Sequence, residues 1–376
     1  MKRKFLSVVM VSCLTLALCA CSGKGGGGLS SNGSNDTKDA KQYKLSVLRP
    51  IAYSKVEGLS LEPGSFISMI GRNSNDSYWE EVEAGAKQAV ADLNTMLGYK
   101  GSDKIKLSYA APEVCDDVNE QVSILDEELS RYPAAIAIAT IDASACSIQF
   151  DLAAEDSIPI VTFDSGNDYQ HIAAHVSTDN IDAAQTAAAK LANAIEEKGE
   201  VAVFVQDSVS TTAKNRLQGF LDKLTADYPD VSVVNIYHMD QLDEVSKTIA
   251  EAKQVEADTL TQEDVVNYVL ESHPDLKGIY TTNLDTTQLV ADVISDLERD
   301  DLKFVGFDGG KEQMKLVEDG LLEGVIVQNP YGMGYAAIVA AVRTSLGLAN
   351  ESFVNTGYTW VTKDNMKKEE IKYMLY

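Results

Sequence analysis

The chain is short of positive charge. Lysine and arginine number 32 against 57 aspartates and glutamates, giving −25 over 376 residues. A surface this acidic repels phosphate, which excludes a nucleic-acid partner. Histidine is scarce as well, at four residues. His171 and His175 stand four apart, but Ile172-Ala-Ala-His-Val176 reads as strand, so they need not share a face, and no metal site is expected. There is no G-x-S-x-G elbow, no Walker loop and no helix-turn-helix pattern, so neither hydrolase, nucleotidase nor gene-regulator chemistry has a motif to rest on. No cofactor is called for. Long apolar runs are also missing. The single candidate, Phe5 to Ala20, is too short for a stable membrane span. What remains, 45% hydrophobic and 24% charged, is an ordinary globular mixture that excludes disorder. Its length suggests two domains, each with its own core.

The first twenty residues read as an export signal. Lys2, Arg3 and Lys4 precede the apolar run, which ends Leu18-Cys19-Ala20-Cys21. That ending resembles a bacterial lipobox, with cleavage before Cys21 and lipid on its sulfur. The expectation is an exported protein anchored by lipid to the outer face of the cell membrane. Residues 21–41, rich in Gly, Ser, Asn, Asp and Lys, read as a flexible linker. Gly23, Gly25 and Gly28 match G-x-G-x-x-G formally, but no strand precedes them and no helix follows. Cys115 and Cys146 would sit in an oxidising compartment, either joined as a disulfide or as two separate thiols.

Beyond the linker, short apolar β-rich runs alternate with helix-period segments. Runs at 65–70, 105–110, 134–139 and 158–163 read as strands buried on both faces, the mark of a parallel sheet. The clearest helix spans 78–97, with Ser77 and Glu80 as an expected capping box and Gly98 as its stop. A second series, with strands at 201–205, 231–237, 278–282, 304–307 and 324–327, follows Thr178-Asp-Asn180. The fold class is therefore α/β, as two doubly wound lobes. Residues 42–64 have no assignable place in this scheme.

The most informative feature is a quasi-repeat. Ile158-Pro-Ile-Val-Thr-Phe-Asp164-Ser-Gly166 resembles Leu302-Lys-Phe-Val-Gly-Phe-Asp308-Gly-Gly310. Ligands of open parallel sheets bind just beyond the carboxyl ends of strands. Asp164 and Asp308 would sit at such edges, one per lobe. Both could equally be turn or cap residues.

Several motifs then fall in the order of the type I periplasmic binding proteins of the ribose/galactose class, which serve ABC transporters. Asn75-Asp76-Ser77-Tyr78-Trp79 stands where that family has Asn-x-Pro-aromatic-aromatic, and Val161-Thr-Phe-Asp164 resembles its first strand end. Ser177-Thr-Asp-Asn180 resembles its crossover, and Ala213-Lys-Asn-Arg216-Leu-Gln-Gly219-Phe220 its R-x-R-x-x-G-F helix. Thr282-Asn283, Val305-Gly-Phe-Asp308-Gly309 and Val327-Gln328 complete the series. The resemblance implies a type I fold with a three-segment hinge, lobe 1 being 42–176 plus 330–356 and lobe 2 being 177–329 plus 357–376. It further implies a monomer that closes on a small polar ligand, most readily a monosaccharide, and delivers it to a permease.

A sugar presents an apolar face and a belt of hydroxyls, so flat rings and carboxylates or amides suit it. Tyr78 and Trp79 are the expected stacking rings. Asn75, Asp76, Asp164, Ser165, Asn283, Asp308 and Gln328 are the expected hydroxyl partners. Lys214 matches the family's first Arg, as a point donor and not a fork. Ser165 replaces an Arg and Asp76 an Asn, so the cleft is more acidic than in ribose binders, which argues against anionic ligands. The rival readings are a glycosidase pair at Asp164 and Asp308 and an accessory that presents its ligand to a membrane sensor.

Overall fold

The computed structural model describes residues 32–376 apart from 75 and 300. The expected signal, Cys21 and Asn75 lie outside the described residues. The strands in chain order are β1 (Phe66–Ile70), β2 (Lys106–Ala110), β3 (Ile136–Ile138), β4 (Ile160–Phe163), β5 (His175–Ser177) and β6 (Gly199–Val205). Then come β7 (Val231–His238), β8 (Leu276–Thr281), β9 (Lys303–Phe307), β10 (Gly324–Gln328), β11 (Phe353–Asn355) and β12 (Tyr358–Val361). They form two six-stranded sheets, ordered β11-β5-β4-β3-β1-β2 and β12-β10-β9-β8-β6-β7. Every pairing is parallel except β10 with β12. Each sheet is one lobe of a single body that runs from Asp39 to Tyr376.

The helices α1 (Asn32–Ser46), α2 (Ser77–Leu97), α3 (Val118–Ser130), α4 (Ser147–Glu155), α5 (Asn180–Ala194) and α6 (Thr211–Asp227) precede α7 (Asp243–Lys253), α8 (Gln262–Ser272), α9 (Leu284–Asp296), α10 (Lys311–Asp319), α11 (Pro330–Ser345) and α12 (Glu369–Lys372). They bury both faces of each sheet, as parallel strands require. In the first lobe, Val82, Ala86 and Leu93 of α2 join Met333 and Ile338 of α11 on one face, while Leu125 and Phe150 of α3 and α4 cover the other. α2 and α11 approach so closely that a Cβ on Gly85 would stand 1.9 Å from the Tyr331 carbonyl, and one on Gly334 1.9 Å from that of Val82. No helix among the described residues is long and apolar enough to cross a membrane.

Three details differ from the expectations. The cap of α2 is Asp76, not Ser77; its carboxylate accepts from the Trp79 amide at 2.9 Å, and the helix begins one residue earlier. Residues 32–41, expected as linker, belong to α1. The later part of α1 is fixed by Lys41 Nζ donating to Gln88 Oε1 at 2.8 Å and by an ion pair of Lys44 with Glu81. The unassigned stretch after it packs Leu48, Tyr53, Val56, Leu59 and Leu61 into the first lobe's core.

The chain passes between sheets after Ser177, Gln328 and Asn355. These passages are stitched together: Thr178 Oγ1 donates to Gln328 Oε1 at 2.8 Å, the Thr356 amide to the Ser177 carbonyl at 2.9 Å, and Asn329 Nδ2 to the Thr356 carbonyl at 3.0 Å.

Candidate ligand cleft

Asp164 and Asp308 occupy equivalent places. Each follows its strand directly, each takes a left-handed backbone (φ 54° and 77°), and each amide donates to the neighbouring strand, at Val176 and Ile326. Aspartate tolerates this conformation better than most residues, and strained backbone of this kind gathers at functional sites. Both side chains are buried, at 7% and 5% exposure, and both line one cleft between the lobes with a partly open space of about 520 Å³.

The cleft is built from strand ends and first helical turns. Tyr78 and Trp79, in the first turn of α2, line it from the first lobe. Tyr78 donates its phenol to Asp164 Oδ1 at 2.6 Å, and the Trp79 ring stands edge-on to Phe163. Asp308 Oδ1 accepts from Gln328 Nε2 at 2.8 Å and from the Tyr376 phenol at 3.1 Å, and its Oδ2 accepts from the Leu284 amide at 3.0 Å. Asn283 lines the cleft while its Oδ1 caps α9 through the Thr286 amide. Asp76 likewise lines it while capping α2.

Further wall residues lay outside the sequence expectation. Arg72, just past β1, binds Asp116 at 2.8 Å and reaches across the cleft to Asp207 at 3.2 Å. Gln206, past β6, and Asp285, in the first turn of α9, also line the cleft. Their signal was position: each follows a parallel strand, where ligands bind. Arg216 is pinned by the Asn180 side chain at 2.8 Å and the Thr282 carbonyl at 2.6 Å, with its guanidinium 3.8 Å from the Phe307 ring centroid.

Six carboxylates, Asp76, Asp116, Asp164, Asp207, Asp285 and Asp308, thus meet two guanidinium groups. Burial pushes Asp76 up to about 6, and neighbouring Asp285 and Asp308 add to this. Burial raises Asp308 too, opposed by Arg216, Gln328 and Tyr376. Burial works against the charge of Arg72, but Asp116, Asp207 and Asp164 outweigh it and hold the group protonated. Besides Arg72 with Asp207, the lobes meet where the Gly166 amide donates to Thr211 Oγ1 at 2.7 Å and where the Thr212 hydroxyl donates to the Asp164 carbonyl at 3.3 Å.

Residues 67–348 match the periplasmic binding protein domain. The chain belongs to that family. The binding protein's fold is the type I form, two parallel-sheet lobes around a cleft, shared with solute-binding proteins of sugar ABC transporters. The ribose import binding protein of Bacillus subtilis is 24% identical over 304 residues, covering 79% of this chain and 91% of the relative. A xylitol-binding protein of Mycolicibacterium smegmatis is 23% identical over 255 residues, 67% of each chain. Among solved structures, a carbohydrate transporter solute-binding protein of Agrobacterium radiobacter in complex with D-arabinose is 30% identical. Its TM-score is 0.69, covering 83% of this chain and 99% of that one. One from Agrobacterium vitis with bound D-fucose is 25% identical with TM-score 0.70, over 83% and 100%.

Two of the expected ligand residues stand apart from the binding protein's cleft wall. Lys214 lines a separate groove and donates to the Val209 carbonyl at 2.9 Å. The helix explains this: Thr212 and Arg216, four apart, share the face toward the cleft, and Lys214 midway between them points the other way. Ser165 is fully buried, and its hydroxyl meets Thr211 Oγ1 at 3.2 Å. Among the described residues the two cysteines, Cys115 and Cys146, are free. Cys115 is in the β2–α3 loop on the cleft wall, whereas Cys146 is buried at the start of α4 against Leu125 and Phe150, so no disulfide joins them. Burial pushes the Cys146 thiol up to about 11.

Proposed function

We propose that this protein captures one monosaccharide, or a closely related polyol, between its lobes for an ABC importer. It works as a monomer tethered outside the cell by lipid on Cys21, and without chemical turnover. The observation that carries this reading is the pair Asp164 and Asp308, which enter one cleft from opposite lobes beside Tyr78 and Trp79. Carboxylates in a desolvated cleft accept ligand hydroxyls at fixed geometry and penalise a ligand that lacks one. The indole and phenol rings suit the sugar's apolar face. The reading also draws on relatives named for ribose and xylitol, and on similar structures holding D-arabinose and D-fucose.

Against turnover, both aspartates already accept donors from the protein, Asp164 from Tyr78 and Asp308 from three groups. A general acid would need a different setting. A thermal-shift panel of D-ribose, D-arabinose, D-fucose and xylitol, followed by calorimetry, tests the binding claim. At least one should raise the melting temperature and bind at one site per chain. A panel without any shift, or release of product from glycosides, contradicts the proposal. Mass spectrometry of membrane fractions with and without Cys21→Ala tests the anchor.

A further inference from the structure

We infer that Tyr376 is a positioning residue of the cleft: its hydroxyl orients the Asp308 carboxylate, and its ring meets Tyr78 so that the two lobes' aspartates are joined in one row, Asp164–Tyr78–Tyr376–Asp308. The inference rests on the reading that the cleft takes a sugar.

Tyr376 is clamped to the strand end that carries Asp308. Its phenol donates to Asp308 Oδ1 at 3.1 Å and accepts from the Gly309 amide at 3.2 Å. Its own amide donates to the Gly309 carbonyl at 3.3 Å. Ile371 and Met374 fix the segment before it by entering the second lobe's core. The ring itself packs against the apolar clusters of both lobes. It stands edge-on to Tyr78, with centroids 5.7 Å apart and planes at 72°, and Tyr78 in turn donates to Asp164. Both ends of the row are therefore phenol-to-carboxylate bonds, which are stronger than neutral ones.

Two carboxylates facing one cleft repel each other, and each needs donors to stay ionised there. The groups facing Asp308 are Arg216 from α6, Gln328 from β10 and the Leu284 amide, with Asp164, Asp76 and Asp285 as opposing charges. The Tyr376 phenol adds a donor on the first side of that balance. Burial and the adjacent Asp308 hold its proton well above the ordinary range, so it donates at every physiological pH. That bond opposes the upward push of burial on Asp308 and keeps the carboxylate aimed.

Wild type, Tyr376→Phe and Tyr376→Ala are titrated with D-arabinose and with D-fucose by calorimetry from pH 5 to 8. In parallel, the Asp308 carboxyl is followed by carbon-13 NMR without sugar. Phe keeps the wedge between the lobes and removes the hydroxyl. It should raise the dissociation constant about tenfold and move the Asp308 midpoint to higher pH. Ala should weaken binding further. A dissociation constant within about twofold of wild type for Phe, or an unmoved Asp308 midpoint, overturns the inference. If neither sugar binds wild type, the proposed function fails for them, while the Asp308 midpoint still decides the role of Tyr376.

Discussion

Replacing Asp207 by Asn asks whether charge holds the lobes together. Arg72 and Asp207 belong to opposite lobes, with nitrogen and oxygen 3.2 Å apart and side chains only 5% and 9% exposed. Asp207 also shapes its own turn, where Oδ1 accepts from the Val209 and Ser210 amides at 3.0 and 2.6 Å. Asparagine keeps that acceptor and loses the charge. Breaking a buried pair costs about 3–5 kcal/mol when the remaining charge has no other partner. Here Arg72 retains Asp116 at 2.8 Å, and an opened cleft lets it rehydrate, so about 2 kcal/mol of closed-state stabilisation is the expected loss. If ligand is held by the closed form, the dissociation constant rises roughly 30-fold, mostly through a faster off-rate. Burial opposes the ionised form of Asp207, but Arg72 and the Ser210 donors outweigh it and hold the carboxyl below its ordinary value of 3.8. Its contribution is therefore present above that pH and lost on acidification below it. Calorimetry and stopped-flow read the affinity and off-rate, and small-angle scattering of the free protein reads the lobe separation. Unchanged affinity together with unchanged scattering would refute the idea of a charge latch.

Trp79→Phe keeps a ring but removes indole area and its N–H; sugar affinity should fall about fivefold by calorimetry, and an unaltered value removes Trp79 from the site. Asp76→Asn addresses the carboxyl that burial pushes to about 6. A raised acid means that the folded protein holds the extra proton, so the contribution of Asp76 to stability declines as pH climbs from about 4 to 6 and is level above that. Asparagine caps as well as aspartate. The variant should lose that slope and be more stable at pH 8 by about 1 kcal/mol, a discounted share of the roughly 3 kcal/mol that two pKa units represent; an identical slope in chemical unfolding contradicts this. Lys214→Ala should leave sugar affinity within about twofold, because that side chain lines another groove; a larger loss would return it to the site.

Much of this architecture is legible in the amino-acid pattern because buried parallel strands are uninterrupted apolar runs. The runs at 201–205 and 304–307 lie within β6 and β9. β5, β11 and β12 escape notice because three or four residues are too few to show a period. The Phe-Asp-small-Gly repeat points to Asp164 and Asp308 because a strand's end dictates both burial and the following turn. Arg72 and Asp207 are harder to see. Their importance lies in a contact between lobes, and neither side chain's neighbours in sequence announce it. Lys214 shows the converse hazard: it matches a motif position, yet two residues along a helix turn a side chain to the opposite face.

Capture between the lobes is tested most directly by an X-ray structure of the protein crystallised with the sugar that gives the largest thermal shift. The expected result is one sugar ring in the interlobe cleft, with hydroxyls within hydrogen-bond distance of Asp164 and Asp308 and its apolar face toward Trp79 or Tyr78. A sugar found outside the cleft, or a cleft empty of sugar at saturating concentration, would contradict it.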